Sequence, residues 1–554
     1  RIFRCAISRK GVLNMPQFKS KIATGSDSFA QNRKDMLTLI DHLRSLEKRA
    51  VDASEKRRPT FEKRGQLTPH ERLTRLLDPG MPFLRLYNMA NYLLEDSNPE
   101  TSIPGGSVIL GIGFVKGVRC MIWVDDSGIR AGAATSGGWD ASKGAQKIAQ
   151  DLKLPFIHLV ESAGANLMEY KVELWAHGGM LFRNLAWLSA AGVPTMVVLH
   201  GPSTAGGAYM PGMSDYVIGI RNNGMAALGG AALVHAATGE VADDRDLGGT
   251  EMHASTTGSV EYLADDDAHG IAIARETIGR LDWNKNSTPI RRNDYEEPIY
   301  DIDEIAGVVP IDYTTPYDVR EVAARIVDGS DFEEFKPRYG PGTVCMQASI
   351  MGHAVGLIGN NGPFDPEAAA KATHFFQLCD QSQLPIIFLN NTTGYIVGTE
   401  SEHKGMIKLG SKMIQAVSNV RVPKLALYIG ASFGAGNYGM SGTAFEPEFL
   451  FSWPNAKTGV MAGASAANTM SHVARVQARR KGVEPDEEAI AKQEQRIKDI
   501  FEAQESAFFT SGRVLDNGVI DPRDSRKVLG FALETIFEAQ NRTLHPNAFG
   551  VARI

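Results

Sequence analysis

Cysteine is scarce in this chain: Cys5, Cys120, Cys345 and Cys379 are the four in 554 residues, and no two form a C-x-x-C pair. That spacing excludes a zinc ribbon and a disulfide framework, and the four read as buried thiols in a reducing compartment. No apolar run approaches the ~18 residues that a membrane-spanning helix needs, so no membrane segment is expected. The net charge of −6 is slight, which argues against nucleic acid as a main partner. The thirteen histidines form no H-E-x-x-H spacing. No metal is therefore expected, and His158 and His374 read as packed within core elements. What is present is 43% apolar content in a long chain, enough for two cores of ordinary size and suited to a large soluble enzyme.

Acid is also missing from the N-terminus. Arg1, Arg4, Arg9, Lys10, Lys19 and Lys21 precede the first acid, Asp27. The charge resembles that of a transit peptide, but the internal Met15 opens a plausible soluble start. The expectation is extra sequence upstream of Met15 and a cytoplasmic protein, with the mitochondrial matrix as the alternative.

The chain says nearly the same thing twice. Lys153-Leu-Pro-Phe-Ile-His-Leu-Val-Glu-Ser-Ala-Gly164 has a partner in Gln383-Leu-Pro-Ile-Ile-Phe-Leu-Asn-Asn-Thr-Thr-Gly394, and Gly201-Pro-Ser-Thr-Ala-Gly-Gly-Ala-Tyr209 has one in Gly430-Ala-Ser-Phe-Gly-Ala-Gly-Asn-Tyr438. Both offsets are roughly 230 residues, the size of a domain rather than of a solenoid repeat. In each copy two buried-looking strands end on glycine turns. Such turns present backbone N–H groups and suit a reaction whose charge develops on an oxygen. Two like halves suggest one site built from two related surfaces.

Around these motifs the patterning predicts an amphipathic helical arm over Asp35–Arg57. It also predicts a capped helix at Leu67–Leu77, with Thr68 as N-cap, Pro69 at the first helical position and Glu71 completing a capping box. Strands are predicted at Val108–Gly113 and Arg119–Val124, followed by a helix at Ala141–Leu152. The same strand–strand–helix unit recurs at Val344–Ile350, Ala354–Gly359 and Pro366–Gln381. Ser287–Glu334 is charged and rich in proline and tyrosine, the best place for an interdomain connection. Lys481–Phe508 reads as a charged helical arm or subunit contact. The expected division is an extension and arm over 1–60, a first domain over 61–290 and a second over 291–554.

Two familiar patterns are decoys. Gly434-Ala-Gly436-Asn-Tyr-Gly439 matches G-x-G-x-x-G, but the equivalent turn at Ala205-Gly206-Gly207 does not. Gly430-Ala-Ser432-Phe-Gly434 matches the nucleophile elbow G-x-S-x-G, yet Gly201-Pro-Ser203-Thr-Ala205 lacks the last glycine. Both come from a strand-to-helix turn where only small residues fit. Glu161 and Glu400 sit beside glycine turns and could act as acid or base, although a structural role is the more ordinary one for a single carboxylate.

Several motifs together carry a resemblance: Pro104-Gly-Gly-Ser-Val108, Ser162-Ala-Gly-Ala-Asn-Leu167, Ser203-Thr-Ala-Gly-Gly-Ala-Tyr-Met-Pro-Gly-Met-Ser-Asp215, Ala237-Thr-Gly-Glu240, Leu247-Gly-Gly-Thr-Glu-Met-His253, Gly359-Asn-Asn-Gly362, Gly434-Ala-Gly-Asn-Tyr-Gly-Met440 and Ser452-Trp-Pro-Asn-Ala456. From about Arg64 onward the chain resembles the carboxyltransferase (β) subunits of biotin-dependent acyl-CoA carboxylases, and it is most similar to the 3-methylcrotonyl-CoA and geranyl-CoA branch. The resemblance implies an α/β fold of two tandem crotonase-like (ββα spiral) domains, the first holding acyl-CoA and the second holding biotin. It implies that the N–H groups of Ala163 and Gly164 hold the thioester oxygen, with Gly206 and Gly207 lining that pocket. It implies that those of Ala435 and Gly436 hold the biotin ureido oxygen, with Thr393, Gly394 and Gly434 nearby. Biotin would be carried by a biotin carboxylase/biotin carrier partner, coenzyme A would enter as part of the substrate, and the chain would form a homo-oligomer, the hexameric core of an α6β6 complex.

Two departures from the family pattern bear on function. Ala163 stands where the turn usually reads Gly-Gly, which raises the rival of an assembly subunit without turnover. Ala226, Ala227, Ala231 and Ala232 stand where the branch carries larger or stiffer groups. If they line the acyl pocket it is roomier and favours a longer chain; the alternative is repacking away from the ligand. The remaining rivals are a propionyl- or longer-chain acyl-CoA carboxylase and another crotonase-like hydrolase or decarboxylase.

Overall fold

A computed structural model describes residues 18–164, 171–290 and 293–547 of the chain. Cys5, Met15 and the Ala165–Leu167 end of the first glycine turn lie outside the described residues. The architecture is mixed α/β with two sheets. The first contains β1 (Leu84–Leu86), β2 (Val108–Val115), β3 (Val118–Asp125), β4 (Phe156–Ser162), β5 (Thr195–Thr204), β6 (Tyr216–Ile220), β7 (Met225–Ala227) and β8 (Tyr262–Ala264). Its order is β1-β2-β3-β4-β5-β6-β8, with β7 paired to the end of β5. The second contains β9 (Phe332–Phe335), β10 (Thr343–Ile350), β11 (His353–Asn360), β12 (Ile386–Thr392), β13 (Lys424–Phe433), β14 (Phe449–Ser452) and β15 (Lys457–Gly459). Its order is β14-β13-β12-β11-β10-β9, with β15 paired to the end of β13. The repeat in the sequence is thus a repeat in topology.

Each half opens with an antiparallel hairpin and continues as a parallel sheet. Lys116 and Gly117 close the first hairpin with φ of 52° and 73°, and Met351 and Gly352 close the second with 49° and 81°. Positive φ at both turn residues matches the twist of the flanking strands. The parallel strands are apolar runs buried on both faces, as helix-covered parallel strands are; all eight residues of β3 are buried. Helix Ser136–Asp151 follows β3 and helix Pro366–Gln381 follows β11, capped by Thr135 and Asp365, which accept from the N–H groups of Gly138 and Ala368. The first begins five residues before its predicted start because the Gly137-Gly138 pair interrupts the apolar pattern.

The N-terminal helix runs over Asp27–Glu55, its N-cap Ser26 accepting from Phe29 N–H. It is a strap rather than a free arm. Met36 and Ile40 enter a core that also contains Trp123, Phe156, Leu357 and Trp453, so this core draws on both halves. Leu43 and Leu46 enter a second core under the second sheet. The capping box at Thr68 and Glu71 forms as predicted. The charged 287–334 stretch is packed rather than loose: Ile305, Ala306, Gly307 and Val308 form a buried helical turn against the N-terminal helix. The predicted charged arm is a hairpin of helices Gly463–Arg480 and Glu487–Glu502. Cys120, Cys345 and Cys379 are buried free thiols. Among the described residues no helix is long and apolar enough to cross a membrane.

Candidate functional site

The ends of β4 and β12 are built alike. In each the pairing register slips by a bulge, between Val160 and Ser162 and between Asn390 and Thr392. A hydroxyl then closes the turn that follows. Ser162 Oγ accepts from Gly164 N–H at 3.1 Å, and Thr392 Oγ1 accepts from Gly394 N–H at 3.2 Å. The carbonyls of Gly164 and Gly394 accept from the N–H groups of Ala134 (3.1 Å) and Phe364 (2.9 Å).

The same geometry places the Ala163 and Gly164 donors inside the turn's own hydrogen bonding. Gly164 N–H is spent on Ser162, and Ala163 N–H donates to Ala131 O at 3.0 Å. Neither of the two donors expected to hold the thioester oxygen is free. Ala163 itself fits the turn, since it is not among the residues with positive φ; alanine in place of glycine costs the backbone nothing there.

The free donors lie one turn further on. After β5 the chain passes through Ala205 at φ 53° into the short helical turn Ala205–Ala208. After β13 it passes through Gly434 at φ 57° into helix Gly434–Gly439. The same left-handed step is taken by alanine in one half and glycine in the other, at a cost of roughly 1–2 kcal/mol for alanine. Gly206 and Gly207, and equivalently Ala435 and Gly436, then supply first-turn N–H groups that have no acceptor within their own helix. Gly206 and Ala435 are exposed, and Gly436 is buried against the Gly394 turn.

A short strand flanks each donor turn. β7 pairs Ser203 with Ala226 and Thr204 with Ala227; β15 pairs Ser432 with Thr458 and Phe433 with Gly459. Ala226 and Ala227 face opposite ways, as alternate residues on a strand must. Ala226 packs on Val160, Val197 and Leu199, and its carbonyl accepts from His253 Nε2 at 2.7 Å. Ala227 faces Gly248, where a Cβ would stand 2.8 Å from that of Ala227. Ala231 opens helix Ala231–Thr238, and its N–H donates to Asp244 Oδ1 at 2.7 Å.

Neither candidate carboxylate is poised as a base. Glu400 is exposed and pairs with Lys404 at 2.9 Å. Glu161 is buried and bound to Arg72 at 2.5 Å, a pair that sequence spacing did not reveal. His158 is buried, stacked on Trp123 with ring centroids 3.9 Å apart. His374, expected in the core, is exposed on the outer face of its helix, with Nδ1 3.0 Å from Lys336 Nζ. Among the described residues no cluster of three or more His, Cys, Asp or Glu is placed to hold a metal ion. Each half presents a pair of backbone donors at its strand-to-helix turn.

Comparison with known proteins places the chain in a family. Residues 61–551 match the family described as Carboxyl transferase domain. A Mycobacterium tuberculosis protein named probable biotin-dependent acyl-coenzyme A carboxylase beta2 subunit is 46% identical over 497 residues, which cover 89% of this chain and 91% of that protein. The mitochondrial methylcrotonoyl-CoA carboxylase beta chain of Arabidopsis thaliana is 40% identical over 541 residues, covering 96% and 90%. Among solved structures, the beta subunit of P. aeruginosa geranyl-CoA carboxylase is similar with a TM-score of 0.90 and 46% identity, over 97% of this chain and 100% of that one.

Proposed function

The chain belongs to the carboxyl transferase family, as the carboxyltransferase subunit of a biotin-dependent acyl-CoA carboxylase, and from that premise we propose that it carboxylates the γ-carbon of a β-methyl enoyl-CoA. Residues 61–290 take the acyl-CoA and 291–554 take biotin presented by a biotin carboxylase/biotin carrier subunit. The observation that carries this reading is the duplicated donor turn, one per sheet. Removing a proton from the acyl group puts negative charge on the thioester oxygen, and loss of CO2 from its carrier puts charge on a second oxygen. Two developing oxyanions call for two pre-aimed donor sets, each donor worth on the order of 3 kcal/mol.

Gly206 and Gly207 N–H groups hold the thioester oxygen in this scheme. Ala435 and Gly436 N–H groups hold the ureido oxygen, with Thr393, Gly394 and Gly434 shaping the approach. The second-half turns fit such a group because glycine backbone meets glycine backbone there, a cradle that a Cβ on Gly436 would fill at 2.8 Å. Bound carboxybiotin supplies the CO2 and, once relieved of it, the base that takes the substrate proton. The protein's own part is to bind, aim donors and exclude water.

The proposed acyl group is geranyl or 3-methylcrotonyl. The small pair Ala227 and Gly248 beside the donor turn and the 46% identity to a geranyl-CoA carboxylase subunit favour the longer of the two. The proposed assembly is a hexameric core carrying six partner subunits. Exposed Trp175, Trp187, Tyr209 and Leu228 in the first half, and Val397, Tyr438 and Val460 in the second, are apolar surface of the kind subunit contacts cover. Buried reduced thiols suit the cytoplasm, or the matrix in a mitochondrial homologue's setting.

The test is incorporation of labelled bicarbonate into a panel of acyl-CoAs by the chain together with its biotin-bearing subunit. Incorporation into geranyl- or 3-methylcrotonyl-CoA is expected. Thioester hydrolysis that needs no biotin subunit would instead mark a different crotonase-like enzyme.

A further inference from the structure

Behind the first-half turns lies a buried charged cluster that the proposed reaction does not use. Arg72 is completely buried; its Nη1 donates to Glu161 Oε2 at 2.5 Å and its Nε to Asp267 Oδ2 at 2.8 Å. Glu161 also accepts from Ser127 Oγ at 2.8 Å and from Gln66 Nε2 at 3.3 Å. Gln66 donates to His200 O as well, at 2.9 Å, and His200 Nδ1 lies 2.8 Å from Asp267 Oδ1. Burial alone would raise the Asp267 carboxyl, but His200 and Arg72 hold it down at about 2. Both Glu161 carboxylate oxygens are hydrogen-bonded within the cluster.

Glu161 is the bulge residue at the end of β4, one position before Ser162. Its side chain lies against β5, where a Cβ on Gly201 would meet Glu161 Cγ at 2.4 Å. Gln66, which donates to both Glu161 and His200 O, links this carboxylate at the end of β4 to β5.

The second half builds the same bulge without charge. Asn391 stands at the equivalent place, its Oδ1 accepting from Ala431 N–H at 3.3 Å, and a Cβ on Gly430 would meet that Oδ1 at 2.4 Å. A neutral amide therefore suffices to fold the bulge, and burying an ion pair is a costly way to do it. What differs between the halves is the bracing of the donor turn. Gly436 rests on Gly394, where a Cβ would be only 2.8 Å from its Cα. A Cβ on Gly207 meets nothing nearer than Ser203 Oγ at 3.1 Å, and one on Gly164 nothing nearer than Thr204 O at 3.7 Å. Among the described residues Gly207 is less closely packed on its neighbouring turn than Gly436 is, which leaves more of the first-half turn's stiffness to come from behind. Charge-assisted hydrogen bonds, shorter and about twice as strong as neutral ones, supply it.

We infer that Glu161, clamped by Arg72, is a positioning residue that keeps the Gly206 and Gly207 donors aimed at the thioester oxygen. The inference rests on the assignment of the first half to acyl-CoA. The test uses the complex of this chain with its biotin-bearing subunit. It compares acyl-CoA carboxylation with ATP hydrolysis in the absence of acyl-CoA, which reports biotin turnover through the second half.

Glu161→Gln is expected to lower carboxylation kcat about 100-fold, the loss that a misplacement of about 1 Å brings. KM for acyl-CoA and the acyl-CoA-independent turnover should stay within about twofold, and Arg72→Lys, which keeps the charge, should retain part of the rate. A wild-type kcat in Glu161→Gln overturns the inference, as does an equal fall in both activities, which marks a merely structural role. If Glu161→Gln does not accumulate, Ser127→Ala decides: a drop in carboxylation alone supports the inference and an unchanged kcat overturns it. Failure of the wild-type complex to carboxylate any acyl-CoA would instead overturn the functional reading itself, and the inference with it.

Discussion

A Cβ placed on Gly436 would stand 2.8 Å from the Cα of Gly394. The two glycine turns of the second half are therefore in backbone contact, and only the absence of a side chain lets the donor turn close to this distance. Gly436→Val should cost several kcal/mol of transition-state stabilisation, about a 100- to 1,000-fold fall in kcat, because it misaligns both Ala435 and Gly436 N–H groups. Expression and assembly should be unchanged. Carboxylation near the wild-type rate in this variant would show that the second-half turn does not hold the ureido oxygen.

Assembly gives a second expectation. Tyr209, next to the first donor turn, and Tyr438, in the second donor helix, are exposed in the single chain, as are Trp175 and Val397. A site that joins the first half of one subunit to the second half of another would cover them. The chain purified alone should elute as an oligomer, hexameric in the proposed core. An active monomer on a sizing column would rule out a site shared between subunits.

The repeat, both hairpins and the capping box at Thr68 were legible in the sequence because each is set by residues close together in the chain. The capping box spans four residues, and the hairpin turns need only two with positive φ. Arg72 and Glu161 are 89 residues apart, and Arg72 and Asp267 are 195 apart; no local pattern announces such a cluster. The hydrogen bonding inside the first glycine turn was hidden for a related reason. The sequence marks Ser162-Ala-Gly164 as a turn but not that the serine hydroxyl takes the glycine N–H. His374 was misplaced because Phe375 and Phe376 beside it are core residues, while its own position on helix Pro366–Gln381 points outward.

Burial pushes the Asp516 carboxyl up to about 6, although Ser452 Oγ at 2.6 Å and Gly518 N–H at 3.0 Å donate to it. The folded state therefore binds this proton more tightly than the unfolded state, whose carboxyl titrates near 3.8. Stability falls as pH rises between those values, and above them ionised Asp516 costs about 3 kcal/mol. Asp516→Asn keeps an acceptor for Gly518 and removes the charge. Its melting temperature should exceed that of the wild type at pH 8, and the gap should close below about pH 4. A variant that melts lower at pH 8 would show that the carboxylate is stabilising where it lies.

Substrate length turns on Ala227. Its Cβ faces Gly248, where an added Cβ would be 2.8 Å away, so two small residues meet at the edge of the first-half donor turn. A phenylalanine at 227 fills that edge and forces helix Asp244–Gly248 aside. Each methylene a ligand buries is worth about 0.8 kcal/mol, so the extra isoprene unit of geranyl gains most from the space that alanine leaves. The wild-type complex should show higher kcat/KM for geranyl-CoA than for 3-methylcrotonyl-CoA, within the roughly 10- to 200-fold that a hydrophobic pocket can discriminate per group. Ala227→Phe should lower kcat/KM for geranyl-CoA at least tenfold more than for the short substrate, with the melting temperature as the control for helix displacement. Equal losses on the two substrates would mean that Ala227 and Gly248 pack the wall without measuring the acyl chain.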